Sequence, residues 1–282
     1  MTAPSYSFLP WLRTGIATRV TEDPGTAERA SIPVTLRVGA VPASGAPAST
    51  DVVRRLQLYG PGDVIGVDPR AISRVEPRPG ITNHEPNYLA HIEFYDEDFP
   101  WRYSPAGPDP TTGRLAPWLA LVVLAAGADP AGADAEFTEA GQGGAPLPSI
   151  AVKDPATTLP PPGQLGAWAH VHVNGPLDVP IVSPDPAAAL AGLAAVLAAN
   201  PDNACSRVVC PRHLRPDTNY QAFLVPAFET GRLAGLGLDP AGSPGALHGA
   251  WGRTTTAGSP RGSCRTTTAG RSPPAPPVTS SS

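Results

Sequence analysis

The sequence has few charged and few aromatic residues, and it has almost no lysine. Only 16% of its 282 residues are charged and 6% are aromatic, and Lys153 is the only lysine among 20 basic residues. The low charge excludes the highly charged class of disordered proteins, and 41% hydrophobic residues suffice for a core. Because 24 acidic residues leave a net charge of −4, we expect no nucleic-acid partner. The abundance of Ala, Gly, Pro and Arg indicates a high-GC bacterial gene.

Cysteine is scarce too, and no long apolar run is present. Three cysteines are too few for a disulfide framework, which agrees with a reducing compartment. The longest apolar stretch, residues 115–128, contains Pro117 and is shorter than the ~20 residues that span a bilayer. It predicts a buried strand or a short core helix, without membrane insertion. The N-terminal residues lack the pattern of a signal peptide, so we expect cytoplasmic synthesis.

Common catalytic and nucleotide-binding motifs are also absent. The sequence contains neither a G-x-x-x-x-G-K-[ST] loop nor a G-x-G-x-x-G turn that opens a helix. It lacks the H-E-x-x-H pattern of zinc proteases and the G-x-S-x-G turn of α/β-hydrolases. These absences disfavour nucleotide binding and the commonest classes of hydrolase.

Proline and glycine, in contrast, are abundant. The 38 prolines and 29 glycines exclude a coiled coil or a protein of long helices. Residues that alternate between apolar and polar predict strands at 31–38, 87–94 and 167–173, and a further β pair after residue 51 that turns around Gly62. We therefore expect an α+β fold dominated by strands. Residues 1–240 would form a single globular domain, or two subdomains divided near 105–145.

One amphipathic helix is predicted over about residues 186–200. Asp185 is suited to the N-cap position. Leu190, Leu193 and Leu197 follow at a spacing that places them on one helix face, so this face should pack on a sheet.

The composition changes towards the C-terminus. From Gly249 onward the chain has no Asp, Glu or Lys, and Val278 is its only Val, Ile or Leu, so this part cannot form a core. We predict a disordered low-complexity tail over residues 241–282. The segment RTTTAG occurs twice there, and with ACG threonine codons the neighbouring frame reads Asp-Asp-Asp-Gly. A frameshift near Gly245 is therefore a second explanation of the tail.

Two histidines form the most metal-like pattern in the sequence. His170 and His172 lie two residues apart in a predicted strand, so their side chains point to the same side and could hold one zinc ion. The alternative is that both lie on a solvent-facing surface while the residues between them fill the core. We favour this alternative.

Two further groups have metal-binding residue types. Cys205, Cys210 and His213 have the spacing C-x4-C-x2-H, but no fourth zinc ligand is evident, and Cys210 follows an apolar run typical of a buried thiol. His84 and Glu85 are not expected to converge on one ion with His91 and Glu93.

Residues 91–105, HIEFYDEDFPWRYSP, combine carboxylates with aromatic side chains. Carboxylates at this density can bind a metal or act as acid and base, although the order of a calcium loop is missing. The aromatic residues can instead pack into the fold. They can also anchor a protein interface, as Trp, Tyr, Phe and Arg often do. The residues assigned to this interaction surface are Phe94, Tyr95, Asp96, Asp98, Trp101, Arg102 and Tyr103.

Several long phrases of the sequence resemble an uncharacterised protein family. They include YSFLPWLRTG, LYGPGDVIGVDPRAISRVEPRPG and CPRHLRPDTNYQAFLVPAFETGRLAGLG, and the resemblance spans about residues 6–238. The family is encoded in phage-tail-like contractile injection system clusters of high-GC bacteria. The resemblance implies a structural or accessory component, of baseplate or assembly type, with other subunits of the particle as partners. The resemblance supplies no catalytic residues and no mechanism, and we expect no cofactor.

Two other functions stay open. The first is a metal-dependent enzyme or effector that uses His170 and His172, with zinc, or the segment 91–105. The second is a binding module for a cell-envelope ligand, with Trp101 and Tyr103 as a stacking platform.

Overall fold

The computed structural model describes residues 20, 29–85, 87–109, 111, 114–127, 134–140, 144–177 and 187–251 in full. It also describes the backbone of residues 6–9, 264–267 and 270–271. In these residues strands dominate over helices, so the fold is α+β, as the sequence predicted.

The strands are short except for two of ten residues. In chain order they are β1 (Tyr6–Leu9), β2 (Ser31–Ala40), β3 (Ala48–Gln57), β4 (Ile72–Glu76), β5 (His91–Phe94), β6 (Leu119–Ala125), β7 (Phe137–Ala140), β8 (Ser149–Val152), β9 (Ala169–Asn174), β10 (Ala204–Val209), β11 (Tyr220–Pro226), β12 (Cys264–Thr267) and β13 (Gly270–Arg271). The helices are α1 (Pro155–Thr158), α2 (Ala187–Ala199) and α3 (Glu229–Gly235).

The described strands form four antiparallel sheets. A five-stranded sheet has the order β1-β9-β10-β5-β4, and two three-stranded sheets have the orders β13-β11-β6 and β12-β8-β7. The fourth sheet is a ribbon of β2 and β3 alone. Because β10 lies between β9 and β5, residues more than 100 positions apart in the chain become neighbours in the five-stranded sheet.

The core consists mainly of residues from the five-stranded sheet and from strands β6, β7, β8 and β11. Every residue of β6 is buried, so this strand is covered on both faces and is the strand foreseen within 115–128. Phe137 of β7 and Phe223 of β11 meet edge to face, with ring centroids 4.9 Å apart. One cluster of buried apolar residues extends from Val67 to Trp251 and includes residues on both sides of 105–145.

Helix α2 confirms the predicted helix. Its 13 residues contain no polar side chain, so its faces differ in size rather than in polarity. Leu193 is buried, Leu190 and Leu197 pack against the core, and the outer face consists of alanines. The predicted N-cap residue, Asp185, lies outside the described residues.

The predicted hairpin around Gly62 is wrong. The chain forms a 3-10 turn at Pro61–Asp63, and the hairpin is instead made by β2 and β3, joined by residues 41–47. A Cβ atom at Gly62 would lie 3.0 Å from Cβ of Pro240 and 3.2 Å from Cβ of Thr230. This glycine therefore allows close packing of the turn against the segment around α3.

Residues 241–251, which the composition assigned to the tail, belong to the folded core. Ala246 and Trp251 are 2% and 6% exposed, and the indole Nε1 of Trp251 donates a hydrogen bond to the Pro160 carbonyl at 2.7 Å. The predicted start of the tail at residue 241 is therefore wrong.

Only short backbone segments are described after Trp251. Strand β12 pairs with β8, and β13 pairs with β11. The other residues of the predicted disordered tail lie outside the described residues.

Candidate functional site

Several ionisable side chains meet on one face of the five-stranded sheet. Ala169, Val171 and Val173 of β9 are buried in the core, so the residues between them point to the opposite face. Register places His172 opposite Cys205, His170 opposite Arg207, and Arg207 opposite Glu93. We call this surface the polar sheet face; its residues are His91, Glu93, His170, His172, Cys205 and Arg207.

An ion pair lies at the centre of the polar sheet face. Arg207 Nε donates to Glu93 Oε2 at 2.7 Å, and the two side chains are 22% and 16% exposed. The hydroxyl of Ser73 donates to the other Glu93 oxygen at 3.3 Å. His172 Nε2 lies 3.2 Å from Asn174 Oδ1.

Burial determines the protonation states around this ion pair. Burial, together with the cation of Arg207 and the neighbouring His172, lowers the pKa of His170 to about 4. Burial also lowers the pKa values of His91 and His172. Burial and the charge of Glu93 raise the pKa of the Cys205 thiol to about 11. At neutral pH the histidines are therefore neutral and Cys205 is a thiol.

This chemistry bears on the zinc hypothesis for His170 and His172. The structure brings them onto one face of the sheet, as the i, i+2 spacing indicated, with His172 opposite Cys205. His172 is only 9% exposed, so the solvent-facing alternative is wrong for this residue. A cysteine binds zinc as a thiolate, and the raised pKa of Cys205 disfavours that form. Arg207 also places a positive charge beside the histidines, which disfavours a zinc cation there. In the described parts of the chain, no group of three or more His, Cys, Asp and Glu side chains is arranged to hold a metal ion.

The other metal-like groups do not form. Cys210 is 3% exposed in the core, where burial raises the pKa of its thiol, so it is the buried thiol that the sequence suggested. Cys205 lies five residues away on the polar sheet face, so the C-x4-C-x2-H pattern does not build a site. His84 bonds to the Tyr88 carbonyl in the loop before β5. His91 and Glu93, in contrast, do join the polar sheet face.

The aromatic side chains of residues 91–105 mostly build the core. Phe94 and Trp101 are 0% and 2% exposed, and the Trp101 indole donates to the Leu115 carbonyl at 3.1 Å. Phe94 stacks on Phe99 at 4.5 Å, and Tyr103 meets Trp118 edge to face at 5.1 Å. Burial removes Phe94 and Trp101 from the predicted interaction surface, and it removes Trp101 from the stacking platform proposed for an envelope ligand.

The acidic side chains of this segment form an accessible turn. Arg102 Nη2 donates to Asp96 at 2.8 Å and to Asp98 at 2.6 Å. Tyr95 is 62% exposed beside them. We call residues 95–98 the acidic turn. Tyr95, Asp96 and Asp98 of this turn belong to the predicted interaction surface, as does the exposed Arg102, whereas Glu97 was not assigned to that surface.

The ribbon of β2 and β3 is the least covered element that the structure describes. We call residues 31–57 the β-arm. Its root is fixed by Ile32, which is buried with Val20 and Ala30, and by an ion pair of 2.6 Å between Arg29 and Asp63. Beyond this root almost every residue is exposed, and neither strand pairs with any other described strand.

The β-arm has one apolar and one polar face. Because directly opposed residues share a face, register places on one side the residues Ile32, Val34, Leu36, Val38, Ala40, Ala48, Thr50, Val52, Arg54 and Leu56. Leu36, Val38 and Leu56 are 53%, 55% and 51% exposed. The other face carries Val53 and mostly polar residues, including the paired Arg37 and Asp51.

Nothing in the sequence pattern singles out the β-arm as a functional element. Its first strand was recognised at 31–38, but the loop that joins β2 to β3 was not recognised as a hairpin turn. The signal that could have identified the β-arm is the pairing of two strands that place their apolar residues on the same side.

Within the described residues, no helix has both the length and the apolar character needed to cross a membrane. Comparison of the chain with protein-family models, curated proteins and solved structures finds no match.

Proposed function

We propose that the protein is a structural or accessory component, of baseplate or assembly type, of a phage-tail-like contractile injection system. In this role it has no catalytic activity, and it binds neighbouring subunits through the β-arm. The assignment to this kind of particle is supported by the resemblance of residues 6–238 to the family encoded in such gene clusters.

The exposed apolar face of the β-arm is the observation that carries the proposal. An isolated two-stranded ribbon is at best marginally stable in water, and its exposed apolar side chains favour aggregation. A second protein that covers Leu36, Val38 and Leu56 would remove both disadvantages. An interaction arm of this kind suits a subunit of a larger assembly.

Incorporation into purified particles tests this role. We expect the wild-type chain to co-sediment with sheath and tube proteins, and the double variant Leu36→Asp/Val38→Asp to be lost from the particles. Val53→Asp is the matched control, because Val53 is 58% exposed on the opposite face of the same ribbon.

Both variants replace exposed side chains, so their thermal unfolding should match that of the wild type. Two results together would contradict the proposal. Particles assembled in the presence of the wild-type chain would not contain this chain, and deleting the chain would leave assembly and firing intact. Loss of the Val53→Asp control to the same extent would show that the apolar face is not the contact.

A zinc-dependent enzyme or effector that uses His170 and His172 is the second candidate, and the observation behind it is the placement of both histidines on one face of β9. This candidate predicts stoichiometric zinc in protein purified without chelators. His172→Ala would abolish the zinc, and His84→Ala, in the loop before β5, would not. A fully folded, metal-free wild-type protein would exclude it.

A further inference from the structure

We infer that the β-arm is covered by a second copy of the same chain, bound head to tail. The arm of one copy contacts the body of the next, which we define as residues 58–251. This inference rests on the proposed function, because it names the occupant of the same arm. It follows from the distribution of charge along the chain, from the exposed groups of the acidic turn, and from the size of the arm.

The β-arm and the body of the protein have charges of opposite sign. Residues 31–57 contain three arginines and one aspartate, a net charge of +2, whereas residues 58–251 contain 20 acidic and 10 basic residues, a net charge of −10. The positive arm of one copy is therefore attracted to the negative body of the next, which orients the arm towards it. The same distribution opposes contact between two bodies.

One cation of the β-arm lies within its apolar face. Arg54 is opposite Val34, and its side chain is exposed. Arg37 on the other face is already bound by Asp51 in a bidentate pair. A partner surface that covers Leu36 and Val38 therefore also meets the guanidinium of Arg54, and it should present a carboxylate there.

The acidic turn offers the matching groups. Tyr95 is 62% exposed and supplies apolar area. Asp96, Glu97 and Asp98 supply three carboxylates against the single cation of Arg102, which pairs with two of them. The side chain of Glu97 is half-buried and within reach of a partner. We therefore assign the contact of Arg54 to the acidic turn of the neighbouring copy.

The size of the β-arm sets the expected strength of the contact. Ten residues of strand span about 33 Å and two strands about 10 Å, so one face covers roughly 300 Å². This is well below the ~800 Å² per partner of a standard stable interface, so a single contact should be weak. Because arm and acidic turn are different surfaces, the contact is heterologous and extends into a ring or a filament.

Sedimentation of the full chain at protein concentrations from about 1 µM to about 1 mM tests the inference. The wild type should change from monomer to higher oligomers, and the change should shift to higher concentration as salt is added. Leu36→Asp/Val38→Asp and Glu97→Lys should each stay monomeric. Val53→Asp should assemble like the wild type.

A mixture of the two defective variants gives the sharpest result. In a head-to-tail contact, the arm-defective variant still has an intact acidic turn, and Glu97→Lys still has an intact arm, so the mixture should form 1:1 dimers that grow no further. Arg54→Glu combined with Glu97→Lys in one chain should restore assembly. A wild-type chain that stays monomeric throughout, or a mixture that stays monomeric, overturns the inference.

The two proposals can fail separately. If the chain is monomeric but its arm variants are lost from particles, the proposed function stands and a different subunit covers the arm. The chain could instead assemble through the arm but be absent from particles, and particles could assemble and fire without it. The contact between copies would then stand, and the proposed function would be wrong.

Discussion

The side chain of His170 makes folding stability depend on pH. Its pKa in the folded protein is lowered from 6.5 to about 4, first by burial and then by the nearby Arg207 cation. Between these values the unfolded chain binds a proton that the folded chain does not bind, so the free energy of unfolding decreases as pH falls from 6.5 to 4. At roughly 1.4 kcal/mol per pKa unit the limit is about 3 kcal/mol, which residual solvent access reduces to about 2 kcal/mol.

His170→Gln should therefore flatten this pH dependence. Urea-induced unfolding at several pH values between 7 and 4 measures it. The slope should decrease but not vanish, because burial also lowers the pKa values of His91 and His172. Equal slopes for His170→Gln and the wild type would contradict the prediction.

At the scale of residues, the sequence predicted which side chains of one strand share a face, but not which side chains of other strands lie beside them. A period of two placed His170 and His172 on one face because it depends only on local strand geometry. The approach of Arg207 and Glu93 depends on the pairing of β10 with β5, which are separated by more than 100 residues. Long-range pairing of this kind leaves no periodic signal within either strand.

At the scale of whole elements, the turn after the β-arm shows why the hairpin was predicted at the wrong place. Gly60-Pro61-Gly62 has the composition of a hairpin turn, but in the structure Pro61 begins a 3-10 turn and Gly62 faces α3 and its neighbours. Strand β3 was hard to bound from sequence because both faces of the β-arm are exposed, and Arg54 interrupts its apolar side. Burial on one face is what imposes a clean alternation, and most of the β-arm is not buried.

Gly62→Ala should destabilise the protein through this close packing. The added methyl group would lie 3.0 Å from Cβ of Pro240 and 3.2 Å from Cβ of Thr230. The ring of Pro240 cannot rotate away, so we expect a loss of about 1–3 kcal/mol in the free energy of unfolding, measured in urea.

Gly60→Ala is the matched control in the same turn. Gly60 has an extended backbone with φ of −119° and no heavy atom within 4 Å of a Cβ built on it. Its substitution should leave stability nearly unchanged. If both variants lose the same stability, chain flexibility rather than packing explains the effect at Gly62.

At the scale of the whole molecule, the sequence predicted the fold class but not where the folded part continues. Residues 246–251 have no regular apolar pattern, so composition assigned them to the tail. They are held by pairing with a distant segment: Ala250 N donates to the Ala227 carbonyl at 2.9 Å, and Glu229 N donates to the His248 carbonyl at 2.8 Å. Such a segment is defined by what it contacts, which its own composition does not reveal.

Trp251 provides the test of this boundary. If residues up to 251 complete the core, Trp251→Ala should lower the free energy of unfolding by about 4 kcal/mol, because it leaves a large cavity. Trp251→Phe keeps most of the apolar contact but deprives the Pro160 carbonyl of its indole donor, so it should cost about 1 kcal/mol. Leu238→Ala, at a side chain that is 54% exposed, is the control and should have little effect. If Trp251→Ala unfolds like the control, the tail begins before residue 251. The predicted order, with Ala costing more than Phe and Phe more than the control, would place Trp251 in the folded core.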